Sequence, residues 1–366
     1  MKVLMIGSEP VDYIIAFANS VAAHSPVTLV VPKARFAALT RWLDPSIDVR
    51  LIDWPRHRSL ANPAFLWRLT RLIQHERPDI IHVLSNTVLW LNLAVPFWRR
   101  YPLVTTVHDV RLHPGDKDTA VLPDWSPRLM ARQSPDIVVN GSALREAAIT
   151  HFGKTRDRVH VVPHPAIRRY ADLARFEGLQ SARQPGTFTV LMFGRIFAYK
   201  GLDQLMRAEK LLGQRIPGLR IVVAGRGDDP RSLDALMGDP ARYDIRHRFI
   251  EDREVAQLFL DADLVVLPYR EASQSGVIPV AATFGKPVVV TDVGELRATV
   301  TRQGLGLVVP AGDPQSLADA IATMASNADL RRQCGDSALD WSDLATGPNF
   351  VGARTVEIYD DILQRT

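Results

Sequence analysis

The chain has 366 residues, of which 46% are apolar and 23% charged, with a formal net charge of +4 and one cysteine, Cys334. That length exceeds one ordinary hydrophobic core and fits two domains of average size. The composition is that of a soluble globular protein, and a lone cysteine excludes both a disulfide framework and a thiolate metal site.

The chain opens on MKVLMIGSEPVD, whose short apolar run meets Glu9 and Asp12, so it reads as a first strand and not as a signal peptide. The longest apolar run, Val88 to Trp98, is interrupted by Asn92 and Pro96 and is too short to span a bilayer. A cytoplasmic location is the simplest expectation. Short apolar runs near Val3–Ile6, Val27–Val31, Val49–Ile52, Ile80–Leu84, Leu103–Val107, Ile137–Val139 and Val159–Val162 alternate with helical patterns such as Val11–Ala23, Ala61–Gln74 and Ala143–Phe152. Such alternation predicts an α/β fold with a doubly wound parallel sheet, and the plan restarts at Val190. A polar, proline-marked stretch from Pro163 to Gly186 joins the halves and is the expected hinge. The expected domains are therefore 1–165 and 187–349, with a linker over 166–186 and a last helix over about 350–366 beyond the second sheet.

Charge is divided unevenly. Residues 1–185 carry 24 Lys and Arg against 16 Asp and Glu, a balance of +8, whereas residues 186–366 carry 20 against 24, or −4. In the first half the cations cluster with aromatic residues: Arg35, Phe36, Arg41 and Trp42; Trp54, Arg56, His57 and Arg58; Phe65, Trp67, Arg68 and Arg71; Phe97, Trp98, Arg99, Arg100 and Tyr101. Two readings fit. The rings and cations lie on an anionic membrane, or the rings are core and the arginines are solvated. With no Lys/Arg block and no recognisable binding module, nucleic acid is not an expected partner.

The segment Val190–Gly201, VLMFGRIFAYKG, ends an apolar strand at Gly194, presents Arg195, and presents Lys200 at the head of a helical pattern. Ligands of open α/β sheets bind beyond the carboxyl ends of the strands, and two cations there suit a diphosphate: Arg195 as a planar fork, Lys200 as a mobile point charge. His108-Asp109 also follows a strand. A histidine so placed is either a site residue or a satisfied structural one. Asp313 reads as a helix N-cap and not as a metal ligand, and no His/Asp/Glu spacing makes a metal site.

FGRIFAYKG resembles the G-R-x(4)-K-G segment that opens the donor domain of the family 4 retaining glycosyltransferases, which have the GT-B fold of two Rossmann-like domains facing a cleft. VVAGRGDD, FIEDREVAQLFLDADLVVLPY, GVIPVAATFGKPVVVTDVGEL and LGLVVPAGDPQSLADAI follow in the family's order. The resemblance covers most of 188–325 and is fainter before Val162. It implies a metal-independent hexosyltransferase without a cofactor, whose donor is a nucleoside diphosphate sugar of the UDP or GDP type. The first domain would take a glycan or lipid-linked acceptor, in cell-surface polysaccharide or glycolipid synthesis, and the last helix would return to it. His108, in a T-x-H-D context, would contact the donor sugar, while Arg195 and Lys200 would hold the diphosphate. Gly7, Gly194 and Gly225 would be the turns of the donor site, the competing reading of Gly225 being a turn without ligand contact. The backbone at Ile250 would face the base.

Two departures from the family's pattern matter. Paired glycines after the first strand are replaced by Gly7-Ser8-Glu9-Pro10, and the two glutamates flanking seven residues fall, by counting back from Gly285-Lys286-Pro287, on Ala272 and Val280. Glu271 can replace the first only if the loop shifts. What remains is Ser273-Gln274-Ser275-Gly276-Val277 entering a helix, whose amides can bind a phosphate, and this Ser-Gln-Ser-Gly variant resembles a bacterial subgroup of the family. The alternatives are a catalytically silent scaffold or regulatory partner, and a hydrolase or epimerase acting on the sugar nucleotide alone.

Overall fold

A computed structural model describes residues 1–55, 59–85, 89–110 and 125–365. Arg56, His57, Arg58 and Val88 of the runs above lie outside the described residues. The chain divides into two compact units, with boundaries at Pro165/Ala166 and at Leu344/Ala345.

The first unit carries β1 (Val3–Ile6), β2 (Val27–Pro32), β3 (Asp48–Ile52), β4 (Ile80–Val83), β5 (Leu103–Thr106), β6 (Asp136–Val139) and β7 (Val159–Val161). They form one parallel sheet in the order β3-β2-β1-β4-β5-β6-β7. Strands β1, β2, β4, β5 and β6 are buried along their whole length, which is why they read as mostly apolar runs and not as alternating ones. The helix Val11–Ala22 turns Tyr13, Ile14, Phe17 and Val21 onto the sheet. The last helix, Pro348–Gln364, places Val351, Ile358, Tyr359 and Ile362 in the same core.

The second unit repeats this winding with β8 (Phe188–Phe193), β9 (Leu219–Gly225), β10 (Tyr243–His247), β11 (Leu264–Leu267), β12 (Val288–Thr291) and β13 (Gly306–Val309), ordered β10-β9-β8-β11-β12-β13 and parallel throughout. In both sheets the first strand is internal and the winding reverses beside it. The reversal leaves a crevice at the carboxyl ends of β1 and β4 in one unit and of β8 and β11 in the other. Asp313 caps the helix Pro314–Ser326, accepting from the Gln315 and Ser316 amides at 3.0 and 3.1 Å, as its sequence position predicts.

One expectation changes. Residues 166–186 are not a free linker but part of the second unit. The helix Arg169–Phe176 buries Tyr170, Leu173 and Ala174, and Arg169 forks onto Asp252 with contacts of 2.5 and 2.9 Å. A bidentate pair of this kind holds orientation as well as position. Among the described residues no helix is long and apolar enough to cross a membrane.

The last helix meets Val11–Ala22 at Gly352, where a Cβ would lie 1.9 Å from the Ser20 carbonyl oxygen. Gly352→Ala is therefore expected to push the two helices apart and destabilise the first unit by about 1–3 kcal/mol. Six of the seven tryptophans lie in that unit, so urea unfolding followed by tryptophan fluorescence reads it directly; an unchanged midpoint would contradict the close packing.

Candidate functional site

At the carboxyl edge of the second sheet, backbone runs against backbone. Gly225 has φ +151°, and a Cβ there would lie 1.7 Å from the Gly194 carbonyl oxygen. Gly201 has φ +73°, and its Cβ would lie 1.9 Å from the Pro268 carbonyl oxygen. Only glycine permits either approach. Hydrogen bonds complete the weave: the Gly194 amide donates to Ala224 O at 2.9 Å, Ile196 N–H to Arg226 O at 2.8 Å, and Arg270 N–H to Tyr199 O at 2.7 Å. The loops after β8, β9 and β11 thus form one fixed surface carrying Gly194, Arg195, Lys200 and Gly225.

Tyr269 is the centre of that surface. It is 2% exposed, its carbonyl accepts from the Thr291 hydroxyl at 2.6 Å, and its own hydroxyl lies 3.2 Å from Ser275 Oγ. Lys200 Nζ sits 3.7 Å from the centroid of its ring. Among the described residues no carboxylate pairs with Lys200, so the ammonium rests on a π face and keeps its charge available to an incoming anion. Arg195 lies over Phe197, its guanidinium carbon 5.6 Å from the ring centroid. Val277 opens the helix Val277–Thr283, and a Cβ on Gly194 would lie 3.8 Å from its Cγ2, so the strand end and the helix start face each other.

The remaining expected donor residues fall as follows. Gly276 and Glu271 are exposed, and Gln274 and Ser275 are half-buried. The Val277 amide is not open: it donates to Ser275 Oγ at 3.3 Å, a long bond that a phosphate oxygen would displace. Ile250 is buried in the core of the unit, leaving only its backbone to face a ligand, with Phe249 exposed beside it. The loop bearing Glu271 is held on both sides, by Arg270 N–H to Tyr199 O and by Glu295 N–H to Ser273 O at 3.0 Å, which opposes the shift that would bring Glu271 to the family position. Val280 is 3% exposed and belongs to the core. Sequence reading passed over Tyr269, although an aromatic directly after a strand that faces a lysine loop was the available signal. It also passed over Glu295, a buried carboxylate at the start of the helix Leu296–Gln303 that follows β12.

In the first unit His108 follows β5, and its Nε2–H donates to Leu84 O at 2.9 Å, across the reversal from β1. The Tyr13 ring lies edge-on to His108 and to His164, at 4.5 and 5.1 Å between centroids. Below them, His82 contacts Tyr359 Oη through Nδ1 at 2.5 Å and Thr106 Oγ1 through Nε2 at 2.8 Å. Burial lowers the pKa of all three imidazoles, His82 to about 3 and His164 to about 4, and raises Tyr13 to about 12. His108 is thus a neutral hydrogen-bonding group at pH 7 and not a cation. The Gly7 amide is spent on Val30 O at 3.2 Å, so Gly7 serves the turn and offers no N–H to a phosphate. Among the described residues no group of three His, Cys, Asp or Glu is placed to hold a metal ion.

Comparison with known proteins adds the following. The pattern of Glycosyltransferase Family 4 matches residues 12–166, and that of Glycosyl transferases group 1 matches residues 187–327. A D-inositol 3-phosphate glycosyltransferase of Nocardia farcinica is 30% identical over 304 residues, covering 76% of this chain and 64% of that relative, so the matched part is slightly under two thirds of its length. The crystal structure of Anabaena Alr3699/HepE in complex with UDP and glucose superposes with a TM-score of 0.73 at 19% identity, over 99% of this chain and 100% of the other. A UDP-GlcNAc 2-epimerase from Neisseria meningitidis, bound to UDP-GlcNAc, reaches 0.62 at 14% identity over the full length of both chains, so the fold by itself does not fix the activity.

Two outcomes are expected from this geometry. Because His82 and His164 titrate lower folded than unfolded, the unfolded chain binds more protons between pH 6.5 and about 3. Their stabilising effect is complete above pH 6.5 and falls away toward pH 4 and 3, by on the order of a few kcal/mol. Urea unfolding read by tryptophan fluorescence at pH 7, 5.5 and 4.5 checks this, and a flat profile would contradict the buried neutral array. In the second unit, Val280→Glu restores the family's residue type but buries an unpaired carboxylate, so it is expected to destabilise by about 3 kcal/mol or more, without tightening nucleotide binding. Thermal unfolding and a binding titration on that variant decide the matter.

Proposed function

The chain belongs to the family 4 glycosyltransferases, and from that membership we propose that it transfers a sugar from a nucleoside diphosphate sugar of the UDP or GDP type, with retention of configuration and without a metal. The observation that carries the reading is the pair of cations at the β8/β11 reversal, Arg195 beside Gly194 and Lys200 seated on Tyr269. As the bond from the anomeric carbon to the diphosphate breaks, negative charge grows on the leaving oxygens. Fixed cations stabilise that charge without having to reorganise, which is usually the largest catalytic term. The acceptor hydroxyl forms the new bond on the same face and gives its proton to the departing phosphate. The first unit takes the acceptor, and neutral His108 hydrogen-bonds the donor sugar. A similar fold in Anabaena Alr3699/HepE holds UDP and glucose, which supports a UDP sugar as donor.

The acceptor is a glycan or lipid-linked sugar in cell-surface polysaccharide or glycolipid synthesis. The relatives named D-inositol 3-phosphate glycosyltransferases support a second acceptor class, a phosphorylated polyol. A silent scaffold and a sugar-nucleotide epimerase remain the competing functions.

Calorimetric titration of the purified protein with UDP, GDP, ADP and dTDP tests the donor. One nucleotide is expected to bind near micromolar, and Arg195→Ala and Lys200→Ala are each expected to cost on the order of 1.5–3 kcal/mol, roughly tenfold to a hundredfold. No binding at millimolar nucleotide would remove the donor site and favour the scaffold. Turnover of the sugar nucleotide without any acceptor would favour the epimerase or hydrolase.

A further inference from the structure

The first unit exposes large apolar side chains in one region. Of seven such residues described there, six belong to segments around a single cluster: Leu60, Trp67, Leu93, Phe97, Trp125 and Leu129. Trp67 is 64% exposed, Leu93 68%, Phe97 70% and Trp125 55%. The segments adjoin through the core beneath them. Phe65 and Leu69 of the helix Asn62–Glu76, Trp90, Leu91 and Trp98 of the turns Leu89–Leu93 and Val95–Trp98, and Met130 of the helix Trp125–Gln133 form one buried cluster. Trp98 Nε1–H donates to Thr70 Oγ1 at 3.1 Å, tying the turns to the helix Asn62–Glu76.

The same segments carry Arg68, Arg71, Arg99, Arg100, Arg128 and Arg132, all exposed, and one carboxylate, Glu76 at the end of the helix Asn62–Glu76, which is taken by Lys2 and Arg50. Elsewhere arginines are generally paired, as in Arg215 with Asp319 or Arg158 with Asp136. Among the described residues none of these six has a carboxylate partner. Arg71 lies over the Trp67 ring at 5.5 Å, and Arg100 over Tyr101 at 4.7 Å, so charge and ring are presented together.

We propose that this surface docks the protein on an anionic lipid bilayer, with Trp67, Leu93, Phe97 and Trp125 in the headgroup region and the arginines beside lipid phosphates. Exposed apolar side chains favour the boundary of the acyl chains, and guanidinium groups with no carboxylate partner among the described residues favour anionic headgroups. The charge complementarity singles out lipid: a second copy of the chain would bring six more such arginines against these six, and the aliphatic Leu60, Leu93 and Leu129, on which no base can stack, gain little from a polynucleotide. The proposal does not rest on the transferase reading and can fail without it.

The test is flotation of the full chain with vesicles of phosphatidylcholine alone and of phosphatidylcholine containing about 30% phosphatidylglycerol. Binding is expected only to the anionic vesicles and is expected to weaken with salt. Arg68→Gln/Arg71→Gln should lower partitioning about 25-fold, at about fivefold per arginine. Trp67→Ala/Phe97→Ala should lower it at unchanged charge, and circular dichroism should show both variants folded, as their exposure allows. Absence of binding to anionic vesicles overturns the proposal, as does binding that neither variant weakens. So does a dimer, seen by light scattering, that the aromatic variant splits, or an RNA oligomer bound in preference to the vesicles.

Discussion

The second unit depends on carbonyl oxygens occupying the space where a side chain would begin. At Gly225 and Gly201 the backbones of neighbouring loops approach so closely that a Cβ would sit within 2 Å of the Gly194 and Pro268 oxygens. This contact fixes where the loops after β8, β9 and β11 leave the sheet. Everything chemical at that edge is borne by them. Arg195 and Lys200 hold their places because Gly194, Gly225 and Gly201 lock the turns around them, and Tyr269 lies beneath Lys200 because Arg270 is tied to Tyr199. A lysine stored on a ring pays little for being rearranged, whereas a lysine held by a carboxylate would have to break that pair before meeting a phosphate. A cation–π contact contributes only about 0.5–2 kcal/mol, which a diphosphate can outbid.

The two units solve the problem of charge in opposite ways. Around the β1/β4 reversal, burial keeps His82, His108 and His164 neutral and Tyr13 protonated, so that edge offers hydrogen bonds and shape. Around the β8/β11 reversal, the site offers positive charge. Yet the second half of the chain is the acidic one, at −4, and the first half the basic one, at +8. Pairing removes the paradox. Arg242 with Glu209, Arg246 and Arg248 with Glu254, and Arg169 with Asp252 tie up cations of the second unit in ion pairs, and among the described residues Lys200 stands outside them. Net charge counts ions, whereas ligands respond to those that lack a partner.

Much of this was legible in the sequence because the sheets are buried on both faces. Strands such as Val27–Pro32 and Val288–Thr291 are apolar runs bounded by polar turns, and the cations at Arg195 and Lys200 follow a strand that is easy to recognise. The family resemblance then supplied roles that spacing alone does not. What stayed hidden depends on contacts distant along the chain. His82 and Tyr359 are separated by 277 residues, and nothing local marks either as the other's partner. The helix Arg169–Phe176 was read as linker because it is short, lies between proline-marked stretches and buries few side chains, its position being set by Asp252. Val280 was placed by counting from a motif; only the packing shows that it is core.

The central claim is that the carboxyl edge of the second sheet holds the phosphates of a nucleotide. Amide hydrogen exchange of the full chain, with and without saturating UDP or GDP, addresses it most directly. The account predicts slowed exchange over 194–201, 224–228 and 269–277, with the opposite strand ends near 186–188 and 262–264 unchanged. Protection confined to other segments, or none in these loops while nucleotide is bound, would contradict it.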